Sequence, residues 1–172
     1  MGILDINPIG AIRRNHAIEH ATIHILSRMR PQTNMAGRSD SRGFVIYGDV
    51  STEAIGQAVA EAIERIRAGE AHLAIHPNCG TNLVTTAFLT SAATLLASAG
   101  RRRHILDRLA SGLIGAMVGV VAGQFLGMNL QERITTCADL GAVRIVEIQR
   151  REFGKRVLHW IRLEHAPAAQ ES

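Results

Sequence analysis

His16, Glu19 and His20 form a His-x-x-Glu-His segment, and residues of these types at these spacings are suited to hold and use a metal ion. Two imidazoles one helical turn apart share a face and can bind one ion, while the glutamate beside the second is placed to serve a metal-bound water. The order is that of the inverted zincins, which makes Glu19 the candidate general base of a hydrolase and His16 and His20 candidate zinc ligands. His24 continues the series, but about 12 Å of helical rise separates it from His16, so the three would not share one ion.

A further donor is therefore expected from elsewhere. Ile75-His76-Pro77-Asn78-Cys79-Gly80-Thr81 offers an imidazole and a thiol three residues apart, ahead of an apolar run. Both are good zinc ligands, and a thiol near a helix N-terminus loses its proton more readily. The expected metal set is His16 and His20 with His76, Cys79 or both, and three chemistries follow from it. The first is a zinc-dependent, peptidase-like hydrolase with Glu19 as base. The second is a structural zinc site in which His16, His20, His76 and Cys79 close the tetrahedron and Glu19 orients an imidazole. The third has no metal and uses Cys79 as nucleophile with His20 or His76 as base. His24, His72, His104, His159 and His165 read as ordinary, partly exposed histidines, and Cys137 as a small core residue.

Several elements must position these groups. Asn7-Pro8 reads as an N-cap followed by proline at the first helical position, and Pro31 ends a helix over about 8–29. Residues 32–42 lack periodicity and read as a loop. Residues 43–50 (GFVIYGDV) read as a strand, followed by a helix over 52–68 capped by Ser51 or Thr52, with Ile55, Val59, Ile63 and Ile66 on its apolar face. Residues 142–149 and 156–163 alternate apolar with polar side chains around Phe153-Gly154-Lys155 and read as an antiparallel hairpin. The final APAAQES reads as a frayed tail.

Between these lie two uncharged runs of 21 residues each, 80–100 and 111–131. Each is long enough to cross a bilayer core of about 30 Å as a helix, and Arg101, Arg102, Arg103, His104, Asp107 and Arg108 would form the polar tip between them. Gly115, Gly119, Gly123 and Gly127 recur every fourth residue, the small-residue pattern of close helix pairing in lipid, within a chain or between copies. The expected architecture is α+β: a long N-terminal helix and a small antiparallel sheet with one helix, plus a two-helix transmembrane hairpin. Residues 1–79 carry the metal motif, 80–131 the hairpin and 132–172 the strands that complete the α+β unit.

Composition agrees with a membrane protein and argues against nucleic acid. Apolar residues make up 47% of the chain yet concentrate between residues 80 and 130. The net charge of +4 comes from scattered arginines, Lys155 is the sole lysine, and aromatics are only 3%, too few for base-stacking platforms. Two cysteines more than fifty residues apart do not make a disulfide scaffold. The first thirty residues carry arginine and histidine instead of an apolar core ending in small residues, so insertion is expected from inside the chain, without a cleavable signal. Membrane lipid is the expected partner, and a bacterial inner membrane, with cytoplasmic chain ends, the expected location.

HAIEHATIH followed by HPNCGTN and a long apolar helix resembles the YqhQ-like bacterial membrane proteins, described as predicted metal-dependent enzymes. The resemblance covers about residues 13–95, with both motifs in the same order, and implies a metal site at His16, Glu19, His20, His76 and Cys79 framed by Gly80 and Thr81. It implies no particular reaction. The strands after the hairpin make this chain look like a shorter, separate branch, a bacterial domain of unknown function.

Overall fold

The segment between Pro8 and Pro31 folds as α1 (Ile9–Met29) in the computed structural model of the protein, which describes residues 3–100, 104–154 and 156–165. Asn7 does not cap it. Pro8 is the N-cap and makes no side-chain bond, while the turn ahead of it supplies an acceptor: the Gly10 N–H donates to Ile6 O at 3.0 Å. The second helix, α2 (Thr52–Arg67), starts as expected, with the Ser51 hydroxyl accepting the Ala54 N–H at 3.3 Å.

Four antiparallel strands form one sheet in the order β1-β2-β4-β3: β1 (Ala36–Asp40), β2 (Gly43–Tyr47), β3 (Val143–Phe153) and β4 (Arg156–His165). β1 lies inside the segment expected to be a loop. Its sequence AGRSD has no apolar alternation because it is an exposed edge strand, and pairing with β2 across a tight turn defines it. The C-terminal hairpin runs further than its apolar pattern, because β3 and β4 pair out to Phe153 and Arg156 at the turn and to Val143 and His165 at the far end.

Helices α1 and α2 lie against each other, and their apolar residues share one core with the strands. Ile18 and Leu26 of α1, Ile55 and Val59 of α2, Phe44 and Ile46 of β2 and Ile161 of β4 are all fully enclosed. Each such side chain contributes about 1.5–3 kcal/mol relative to exposure. Ala17, Ala21, Ala58 and Ala62 are also fully buried, and small residues at a helix contact let the axes approach.

His159 of β4 is completely buried, against the expectation of partial exposure, because Ile46 pairs with it at the middle of the sheet. Its Nε2 lies 3.2 Å from the Thr52 hydroxyl. Burial, helped by the Arg150 guanidinium, lowers its pKa from 6.5, and burial together with Arg14 lowers that of His165. The unfolded chain therefore binds more protons than the folded one just below pH 6.5, and the stability these neutral imidazoles carry is present above that pH and lost as pH falls. The urea midpoint, followed by the fluorescence of the single tryptophan, Trp160, should be lower at pH 5.5 than at pH 7.5. An equal or higher midpoint at pH 5.5 would contradict this assignment.

The chain divides into two compact units, one built from the segments up to His76 and from Ile134 onward, the other from Pro77 to Arg133. The second is a helical hairpin of α3 (Gly80–Ser98) and α4 (Ile105–Leu130), with α4 running on into a π-helical turn at Gln131–Thr135. Among the described residues, Ile105–Thr135 alone is long and apolar enough to cross a membrane, so the expected pair of spanning helices is not supported. The polar residues of α3, among them Thr81, Asn82, Thr85, Thr86, Thr90 and Thr94, dilute its hydropathy. The apolar helix also begins at Ile105, before the expected 111, which puts Asp107 and Arg108 in its first turn. The expected tip residues Arg101, Arg102 and Arg103 and the tail 166–172 lie outside the described residues.

The glycine stripe faces α3 of the same chain. A Cβ at Gly119 would stand 2.5 Å from the Thr90 Cα, and one at Gly123 would stand 2.5 Å from the Thr86 Cα. Gly127 packs against the Asn82 side chain and Gly115 against Ala93 and Ala97. These glycines are thus occupied by the intrachain helix pair and offer no open surface to a second copy.

Candidate metal centre

Helical spacing places His16, His20 and His24 along one side of α1, and the segment after α2 brings His76 up to them. Gly69, at φ +99°, closes α2 in a backbone conformation that favours glycine, and Glu70 returns to grip Arg65 through both carboxylate oxygens at 2.9 and 2.5 Å. A short 3-10 turn, Ala71–Ala74, then directs the chain along α1. The ring centroids of His16 and His20 are 4.3 Å apart, those of His20 and His76 5.9 Å and those of His24 and His76 4.7 Å. Four imidazoles thus adjoin in the order His16, His20, His76, His24.

Backbone carbonyls set the tautomers. The His20 Nδ1–H donates to Ala74 O at 2.7 Å, and the His16 Nδ1–H donates to Thr135 O at 3.0 Å. A carbonyl only accepts, so on both rings Nδ1 carries the proton and Nε2 the lone pair. Orienting contacts of this kind fix ligand histidines in metal sites. Thr135 is held in turn by Arg13, whose guanidinium donates to Thr136 O at 3.1 Å and whose carbonyl accepts the Cys137 N–H at 3.1 Å. His24 donates from Nε2 to Ile75 O at 2.9 Å, which leaves Nδ1 as its donor atom. Burial, with His24 and His20 as neighbours, lowers the His76 pKa to about 4, so that ring is neutral at physiological pH.

Glu19 is buried beside His20, and its carboxylate turns toward the sheet edge. It accepts the Ser39 hydroxyl, and a side chain at Gly37 would collide with its Oε1. The glycine lets β1 come this close to α1, and the carboxylate fastens the strand to the helix. Cys79 is a buried cysteine, not disulfide-bonded, at the N-cap of α3. It follows His76 by three residues, which limits their Cα separation to roughly 10 Å by chain length alone.

The rings of His16, His20 and His76, singled out by sequence spacing, adjoin, and so does that of His24, read from the sequence as an ordinary histidine. The 12 Å objection to His24 sharing an ion with His16 stands at about that value, but His24 joins the cluster through His76 instead. Ser39 and the carbonyls of Ala74, Ile75 and Thr135 carried no sequence signal. Cys137 is only half-buried, with its thiol 3.6 Å from Asp139 O, and is not the core residue expected. His72 and His104 lie at exposed positions, as expected.

Residues 11–148 match the family model DUF6391, a domain of unknown function. The chain is similar to an uncharacterised protein of the cyanobacterium Picosynechococcus sp., 32% identical over 167 residues that cover 88% of this chain and 78% of the relative. No solved structure matches. The matches agree with a branch of unknown function, and neither carries the YqhQ-like name or mentions a metal.

Proposed function

The chain belongs to the DUF6391 family, and we propose that within it this protein is a membrane-attached binder of a transition metal ion, zinc by donor type, held by His16 and His20, with Cys79 as the further donor that the His-x-x-Cys spacing of the sequence offers. The observation that carries this reading is the pair of Nδ1-to-carbonyl contacts made by the two helical histidines. Each has its Nδ1–H committed to a backbone carbonyl, so two Nε2 lone pairs one helical turn apart are oriented before any ion arrives. A thiolate adds the soft donor that zinc accepts readily.

Membrane attachment is supported by α4. A core helix of a water-soluble protein is mostly enclosed, whereas only 22% of the most apolar window of α4 is buried. Leu109, Leu113, Met117, Val121 and Phe125 stand outward on α4, and Leu83, Phe88 and Leu95 do so on α3. An apolar surface of this extent needs an apolar surround. The bacterial inner membrane with cytoplasmic ends is the proposed setting.

The hydrolase reading requires Glu19 to face a metal-bound water. Its engagement with Ser39 and Gly37 on β1 favours a positioning residue instead, and the metal site is then structural. Elemental analysis of the gently solubilised full chain tests the metal, with about one zinc per chain expected. Glu19→Gln tests the role. It weakens a charge-assisted hydrogen bond, a class that contributes roughly 1.5–3 kcal/mol, so melting temperature and zinc retention should fall together. A variant that keeps both at wild-type values would return Glu19 to the role of a general base.

A further inference from the structure

The four imidazoles fall into two pairs. Two imidazoles that share an ion through bonds of about 2.0–2.1 Å have ring centroids roughly 4.5–5 Å apart, for coordination angles between right and tetrahedral. His24 and His76, at 4.7 Å, meet this, and His16 and His20, at 4.3 Å, come within a few tenths of an ångström of it. His20 and His76, at 5.9 Å, do not without a much wider angle.

We infer that His24 and His76 form a second metal position, for an exchangeable divalent ion of the imidazole-preferring class, beside the one at His16 and His20. The inference rests on the metal reading of that first pair. His24 presents Nδ1, because Ile75 O takes the proton on Nε2. His76 arrives on the segment that the His20 and His24 rings already clasp through Ala74 O and Ile75 O, so these two hydrogen bonds fasten the backbone that carries His76 beside His24. With two imidazoles as its protein donors and water completing the sphere, this position should bind zinc, copper or nickel more weakly than the first and exchange faster.

The test is a zinc titration of the detergent-solubilised full chain, stripped of metal by chelation and followed calorimetrically, with wild type, His24→Gln and His16→Ala compared. Glutamine can still donate to Ile75 O, so His24→Gln removes the ligand and keeps the fastening of the helix. Trp160 fluorescence checks that each variant is folded. The wild type should take up two zinc ions per chain, the second at least about tenfold more weakly. His24→Gln should take up one at the tight affinity, and His16→Ala should lose the tight one and keep the weak one. One ion per wild-type chain, lost in His16→Ala and kept in His24→Gln, overturns this inference and leaves the first site standing. Two ions in His24→Gln overturn it as well, and no zinc uptake by the wild type overturns both readings.

Discussion

His20→Ala should reduce the zinc recovered with the purified chain to below about a tenth of the wild-type amount. The variant removes a ligand and leaves Ala74 O without the Nδ1–H that it accepts at 2.7 Å. Loss of an outer orienting partner typically costs about 10- to 100-fold in metal affinity. Loss of a ligand should exceed that, since structural zinc binding of about 10–16 kcal/mol is shared among only a few donors. His16→Ala should do the same, because its Nε2 is oriented in the same way by Thr135 O. His72→Ala is the control, an exposed histidine of the 3-10 turn. Elemental analysis of the three variants decides the matter, and equal zinc in all of them would remove the metal function altogether.

The second large effect concerns the hairpin, where helix propensity and packing give opposite signs. Alanine in place of a helix-interior glycine is favoured by about 0.8–1.0 kcal/mol on propensity alone. At Gly119 and Gly123 the added Cβ would meet the α3 backbone at 2.5 Å, and a backbone contact cannot be relieved by a rotamer change. Overpacking of this kind costs roughly 1–3 kcal/mol, so Gly119→Ala with Gly123→Ala should destabilise the hairpin despite the propensity gain. Gly112 lies on the same helix, and its nearest neighbours, Thr94 and Ser98, would be 3.6 Å from a new Cβ, ordinary contact distance. Gly112→Ala should therefore leave the hairpin unchanged or stabilise it. Thermal melting followed by far-ultraviolet circular dichroism, in one detergent, reads the contrast: the double variant should melt several degrees lower. If all three alanines shift the melt alike, the close approach of α3 and α4 is not what the glycines provide.

The sequence by itself determined the elements whose signal is local. Pro8 and Pro31 bracket α1, the 3.6-residue period of Ile55, Val59, Ile63 and Ile66 marks α2, and the period of two marks the strands around Gly154. Once α1 is a helix, His16 and His20 must share a face, so the core of the candidate site was legible from spacing. The tertiary structure alone decided what depends on residues distant in the chain. β1 exists because β2 pairs with it, since AGRSD has no burial pattern of its own. His24 enters the cluster because the turn after α2 brings His76 to it, and no spacing along α1 could show that. The protonated nitrogen of His16 is chosen by Thr135, 119 residues away, and that of His20 by Ala74, 54 residues away. Glu19 turns to Ser39 because Gly37 leaves room for its carboxylate at the sheet edge. Periodicity reports how one segment divides its faces between water and core, but a hydrogen bond across the fold depends on where two segments meet, and that is a property of their packing.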